Sequence, residues 1–286
     1  MNKVFAEVCI IFKKAPVRIS IILLMDMVCA IICASDPYII GTCIDGLLAH
    51  EYRWLYVFIA MKLLLIVLRT TDRFLDTRTY SRIVAEESAA YYEKIIRTDA
   101  DESKISSLLD LVDDVPNFLE TDLFNFLCMA GGITFSLSFI LSASGLFVFV
   151  LAVSISIAVP FATYRFEKDI ALNNVKRKGI DETRVNIIAS RRIGRYRKHI
   201  KKTLSLDVAN SDLDARAYLI TDLLQAVLLV IAIVSTIHTG SYTSGQLFST
   251  ITYVMTLNDY VSEINEAIIV VKNLQDSVSR LERNIK

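Results

Sequence analysis

The chain has 286 residues, 53% of them hydrophobic, and its 31 basic and 31 acidic side chains cancel to a formal net charge of zero. A mean hydropathy of +0.46 is too high for an ordinary soluble domain of this length and assigns the chain to the membrane class. With no excess of either sign, the charges inform through where they sit.

The first apolar stretch, Val4–Phe12, is short, is broken by Glu7 and runs into Lys13-Lys14-Ala15-Pro16 without a small-residue cleavage pattern. It predicts an amphipathic helix at the membrane interface rather than a cleaved signal peptide. Six apolar spans follow, at about 19–48, 53–75, 123–142, 145–164, 218–238 and 244–268. The N-terminus, the long connections 76–122 and 165–217 and the tail 269–286 carry nearly all the Lys and Arg, whereas the three short connections carry only Arg53. By the positive-inside rule both termini and both long connections are expected in the cytoplasm, in a protein of bacterial inner-membrane type.

The first span contains Asp26, Asp36-Pro37 and Asp45-Gly46, and Pro37 predicts a kink because it removes a backbone donor. The second descends from the interfacial pair Trp54 and Tyr56 and carries Lys62 and Arg69. Counting turns from the outer ends sets Asp36 at the depth of Lys62, and Asp26 at that of Arg69 or Arg73. Two intramembrane ion pairs are therefore expected, with snorkelling of Lys62 to the outer interface as the alternative. The helical pattern continues through Ser81–Arg97, breaks at Thr98-Asp99-Ala100-Asp101 and resumes at Ser103–Leu111, which predicts two stalk helices joined by a turn. The third helix carries Asp113, Pro116, Asn117, Glu120 and Asp122 before becoming apolar at Leu123, and its Gly131-Gly132 predicts a close helix approach. The fourth starts from Gly145, contains Pro160 and exits at Tyr164-Arg165. Residues 165–217 hold 14 basic side chains, including the run from Arg191 to Lys202. That run reads as an orientation signal in contact with anionic lipid rather than as a nucleic-acid surface.

No Pro or Gly follows Gly245, so residues 244 onward predict one continuous helix of about 40 residues, roughly 60 Å long. Thr252, Thr256, Asp259, Glu263 and Glu266 recur on one face of it. A membrane-crossing helix with such a stripe requires other helices around an aqueous cavity. The candidates for lining a cavity or a proton path are Asp26, Asp36, Lys62, Arg69, Glu120, Thr256, Asp259 and Glu263. The acidic excess among them points to cationic or amphipathic cargo. Five scattered cysteines, three distant histidines and the absence of nucleophile–base spacing predict no metal site and no catalytic centre.

Gly240-x-x-Thr243-x-Gly245-x-Leu247 with Tyr253 and Leu257, Asn273-Leu274-Gln275-x-Ser277-x-Ser279-Arg280-Leu281, Asp114-Val115 followed by Phe118, and Asp45-Gly46 are found in a six-span chain with long helical extensions. In that combination they resemble the transmembrane domain of ABC exporters over essentially the whole chain. The resemblance implies an all-α membrane protein with six transmembrane helices extended into the cytoplasm and an N-terminal interfacial helix, forming one transmembrane domain over 1–286. It also implies a permease subunit that works by alternating access as a homodimer or heterodimer. Two coupling turns follow from it, the first near Thr98, Asp99, Asp101 and Lys104 and the second within Ile187–Gly194, at Ile188, Arg191, Arg192 and Gly194. The chain departs from fused exporters in ending at Lys286 and in having no Gly-x-x-x-x-Gly-Lys-Ser/Thr phosphate loop. The chain itself is therefore expected to be no enzyme and to hold no cofactor, with ATP and Mg belonging to a separate ABC ATPase partner. Ser244-Gly245-Gln246 is similar to the family's ATPase signature but lies in the turn that opens the last helix. The segment between the fourth and fifth spans is shorter than the family norm and lacks its Glu-x-x-x-Gly-Ile pattern. Two other readings stand beside this one: a proton-coupled transporter on the same helices, served by the intramembrane carboxylates, and a membrane scaffold or regulatory subunit that transports nothing.

Overall fold

The computed structural model describes residues 2–95, 109, 111–182, 184–189, 191–238 and 242–285, and these residues form helices and no strand. In chain order the helices are α1 (Asn2–Lys14), α2 (Pro16–Leu48), α3 (Arg53–Ile95), α4 (Asp114–Asn117), a π-helical turn (Phe118–Asp122), α5 (Leu123–Ser144), α6 (Leu146–Glu182), α7 (Arg184–Ala189), α8 (Ile193–His238) and α9 (Ser244–Ile285). Five stretches combine the length and apolarity needed to cross a bilayer: α2, α3, α4 through α5, α6 and α8. α9, at 42 residues, is long enough, but it carries its polar stripe through the span. The protein is an all-α integral membrane protein, with short links at one end of the bundle and long helical extensions at the other.

The short-link end shows how little chain a turn needs. α5 and α6 are joined by Gly145 alone, at φ 86 and ψ 174, a conformation essentially reserved for glycine. α2 runs through Pro37 as one uninterrupted helix. The carbonyl of Pro37 accepts a hydrogen bond from Ser249 Oγ at 2.8 Å, so α9 supplies a partner at the place where proline disturbs the α2 ladder.

That bond belongs to a seam along which α2 and α9 run antiparallel. Tyr253 Oη donates to the Ala34 carbonyl at 3.1 Å, and the Gly245 N–H donates to Asp45 Oδ1 at 2.7 Å. Thr243 Oγ1 donates to Asp45 Oδ2 at 2.5 Å and in turn accepts the Gln246 N–H at 3.1 Å. Asp45, 200 residues away in sequence, thus supplies the carboxylate that caps the start of α9. The backbones nearly touch: a Cβ on Gly245 would lie 1.9 Å from the Gly41 carbonyl oxygen. Gly132, of the predicted close-approach pair, makes room instead for an aromatic ring, since a Cβ there would lie 2.0 Å from Tyr260 Cε2.

Two large apolar cores stack along the molecule, and α9 contributes to both. Toward the short-link end, Ile140 of α5, Val148 and Val159 of α6, Leu228 of α8 and Val254 and Leu257 of α9 interlock. Toward the extensions, Ile11 of α1, Ile19 and Ile22 of α2, Tyr80 of α3, Leu119 of the π turn and Val278 of α9 form the second. α6 and α8 are tied by Asn173–Asn210 at 2.9 Å and Arg177–Asp207 at 2.6 Å, and the end of α5 joins α8 through Ser144–Thr236 at 2.8 Å.

Candidate functional site

The stripe on α9 lies away from both cores. Asp259, Glu263 and Glu266 are exposed and Thr252 and Thr256 half-buried, while Val254 and Val261, on the opposite face, are buried. Tyr260 and Glu263 of α9 join Phe126 and Met129 of α5 and Asp122 of the π turn around a groove of about 370 Å³. Glu266 lines it too. Carboxylates, aromatic rings and a thioether therefore share one concave surface at the extension end of the membrane region. Such a wall suits a positively charged amphipathic molecule, through Coulomb attraction and cation–π contact. Asn265, on a different face, ties α9 to α6 by donating to the Pro160 carbonyl at 3.1 Å and to Thr163 Oγ1 at 2.8 Å.

Of the two ion pairs expected between α2 and α3, one is present. Lys62 Nζ lies 2.5 Å from Asp36 Oδ2 and 5.5 Å from the centre of the Phe58 ring. Asp26 instead has no basic partner among the described residues. Arg69 Nη2 donates to Cys33 Sγ at 3.1 Å, and Arg73 Nη1 pairs with Glu120 Oε1 at 3.1 Å and Asp76 Oδ2 at 3.5 Å. Glu120, in the π turn, is the partner Arg73 takes in place of Asp26. Asp26, 5% exposed, has Asp72 rather than a basic residue as its charged neighbour. The result is an acidic cluster of the buried Asp26 and Asp76 and the half-buried Asp72 and Glu120 beside the exposed Arg73, with Asp72 Oδ1, Asp76 Oδ1 and Tyr80 Oη left without hydrogen-bond partners. π-helical turns recur at functional sites, and this one borders the cluster. Sequence reasoning passed over Asp72 and Asp76, although the depth count that selected Arg69 and Arg73 covers them equally. Opposite charge was the criterion, and like charges meet here.

The long extensions end differently from each other. The candidates Thr98, Asp99, Asp101 and Lys104 for the first turn lie outside the described residues. The second turn falls where α7, six residues long, stands between α6 and α8. Arg191, at φ 47, donates its N–H to the Ile188 carbonyl at 3.0 Å and reverses the chain into α8. Ile188, Arg191, Arg192 and Gly194 are exposed, so a short helix and an arginine-rich turn are presented at the tip. α8 is continuous for 46 residues, which sets the basic run 193–202 about 24 to 38 Å along the helix from its apolar part. Lipid headgroups are out of its reach, and the expected contact with anionic lipid does not hold.

Among curated proteins, none matches the chain. The sequence family described as the ABC transporter transmembrane region matches residues 9–245, from within α1 to the glycine that Asp45 holds at the start of α9. The chain belongs to the ABC transporter transmembrane family and is an integral membrane subunit of permease type.

Proposed function

We propose that the protein is the membrane subunit of an exporter-type ABC transporter, acting as a dimer and moving a cationic amphipathic substrate by alternating access. A separate nucleotide-binding protein supplies ATP hydrolysis. The observation that carries this reading is the α5–α9 groove, an acidic and aromatic wall on a membrane helix with no covering helix. A carboxylate facing acyl chains costs several kcal/mol, on the order of 2–3 on insertion scales, so the groove needs a polar space or an opposing wall. A second copy related by two-fold symmetry provides one. The chain itself hydrolyses nothing, and the exposed α7 tip, with its undescribed counterpart near residues 98–104, docks the ATPase. Nucleotide-driven closure of that partner rocks the helices between inward- and outward-open states. Both termini and the extensions lie in the cytoplasm, in keeping with the distribution of Lys and Arg.

The test is purification in mild detergent under conditions that preserve complexes. An ABC ATPase subunit is expected to co-purify, with ATPase activity in the complex and none above background in the isolated chain. Robust hydrolysis by the pure chain, or capture of no ATPase from native membranes, would count against the proposal. One observation favours proton-driven transport as the second reading: Asp26, buried on a membrane helix, has no basic partner among the described residues. Substrate flux that follows an imposed proton gradient without ATP would select it.

A further inference from the structure

A cavity of about 290 Å³ opens where α1 turns into α2, lined by Lys14, Pro16, Arg18, Thr79, Arg82 and Glu86 among others. Three independent features of it point to an anion. The first is the start of α2. Ala15 at the N-cap position provides no side-chain hydrogen bond, Pro16 has no N–H, and the first amide bonded within the helix is that of Ile19, to the Ala15 carbonyl at 3.0 Å. The N–H groups of Val17 and Arg18 are left without intrahelical acceptors, at the positive end of a 33-residue helix.

The second is Thr79. It is 3% exposed, has no hydrogen-bond partner among the described residues, and lines the cavity together with Arg82, Ile83 and Glu86. Those positions are three, four and seven residues further along α3, so they share one helix face with Thr79 and line the cavity together with it. A hydroxyl with no protein partner beside the cavity has donor capacity to spare for an acceptor seated there.

The third is charge. Arg18 pairs with no carboxylate among the described residues. Arg82 uses Nε for Glu86 at 2.9 Å, which leaves its terminal nitrogens free, and Lys14 is held by Glu87 at 2.8 Å. Three cations against two carboxylates, with the helix end added, leave the site net positive. Depth then names the source of the anion. Thr79 lies 26 residues along α3 from Arg53 and Arg18 lies 30 residues along α2 from Leu48, or about 39 and 45 Å from the short-link end at the helical rise. A bilayer with its headgroup layers is about 40–45 Å thick, so the cavity sits at headgroup level on the extension side.

We propose that this cavity is a phosphoryl-binding site, occupied by the headgroup of an anionic phospholipid held between the α2 N-terminus, Arg18, Thr79 and Arg82. A lipid seated there staples the amphipathic α1 to the bundle. Nothing in the substrate groove or at the α7 tip takes part.

Native mass spectrometry on the delipidated protein tests it, with dioleoyl-phosphatidylglycerol, dioleoyl-phosphatidylcholine and inorganic phosphate as separate probes. Wild-type protein is expected to retain one phosphatidylglycerol per chain, about tenfold tighter than phosphatidylcholine, whose choline cation the net positive site repels. Arg18→Gln, which lowers the positive charge of the site, should bring the two lipids to within about twofold of each other, whereas Thr79→Val should weaken both lipids about tenfold and Thr79→Ser should restore their binding. Inorganic phosphate that competes with the lipid for the same site supports the phosphoryl site; phosphate that binds there while the lipid does not overturns the lipid as its occupant. Equal binding of the two lipids by wild-type protein, a comparison that needs no variant to fold, overturns the proposal. So does an undiminished preference in folded Arg18→Gln protein together with undiminished lipid binding by folded Thr79→Val protein.

Discussion

Asp36 and Lys62 illustrate what a charge inside a membrane requires. Lys62 sits nine residues into α3, about 14 Å from its start, well within the hydrocarbon depth, and its Nζ is 2.5 Å from Asp36. Removing one partner leaves the other charge in a medium that solvates it poorly, whereas removing both leaves none. Asp36→Asn and Lys62→Met are each expected to destabilise the protein by about 2–3 kcal/mol, and the double variant to recover part of the loss. Thermal unfolding of the four proteins in nanodiscs checks this, and strictly additive effects would show that the two side chains do not interact. The pair was legible in the sequence because residue counting along two adjacent helices gives depth directly. Asp26 was legible only as a depth. Its lack of a basic partner was decided by how the helices pack, which sets Arg73 against Glu120 and Asp76 instead.

At the scale of elements, α9 combines an apolar face that feeds two cores with a polar face that covers nothing. The separation was readable from the spacing of Thr252, Thr256, Asp259, Glu263 and Glu266, and the structure puts Val254 and Val261 on the buried side. In a cysteine-free background and inside-out vesicles, Asp259→Cys is expected to react with a membrane-impermeant thiol reagent. Val254→Cys and Val261→Cys should react at least about tenfold more slowly, because a thiol in a packed interior is screened from the reagent. Equal labelling at all three positions would remove the case for a water-filled space beside α9. The seam between α2 and α9 belongs to the same scale. Asp45-Gly46 and Gly240–Leu247 were each visible as turn chemistry, but that Asp45 caps Gly245 emerges only when antiparallel packing brings positions 200 apart in sequence together.

For the whole molecule, one chain leaves α3 and the α5–α9 groove without a covering layer. Only 6% of the apolar window of α3 is buried, which leaves room for lipid and for a second subunit. Mass photometry in nanodiscs is expected to give twice the mass of the 32.2 kDa chain, or that of a heterodimer with a related chain, in addition to any ATPase. A population that remains monomeric at all concentrations would oppose the dimer and leave the groove facing lipid.

The sequence by itself determined the class of the protein, its all-helical make-up and the polar face of α9, all of which follow from hydropathy and helical period along a single chain. Tertiary structure alone decided which charges meet, where the π turn falls, how Asp45 secures α9, and that an uncapped helix start, a buried threonine and two arginines surround one cavity. These depend on how helices rotate and slide against one another. One-residue changes in that register alter every contact while leaving the sequence pattern of each helix the same.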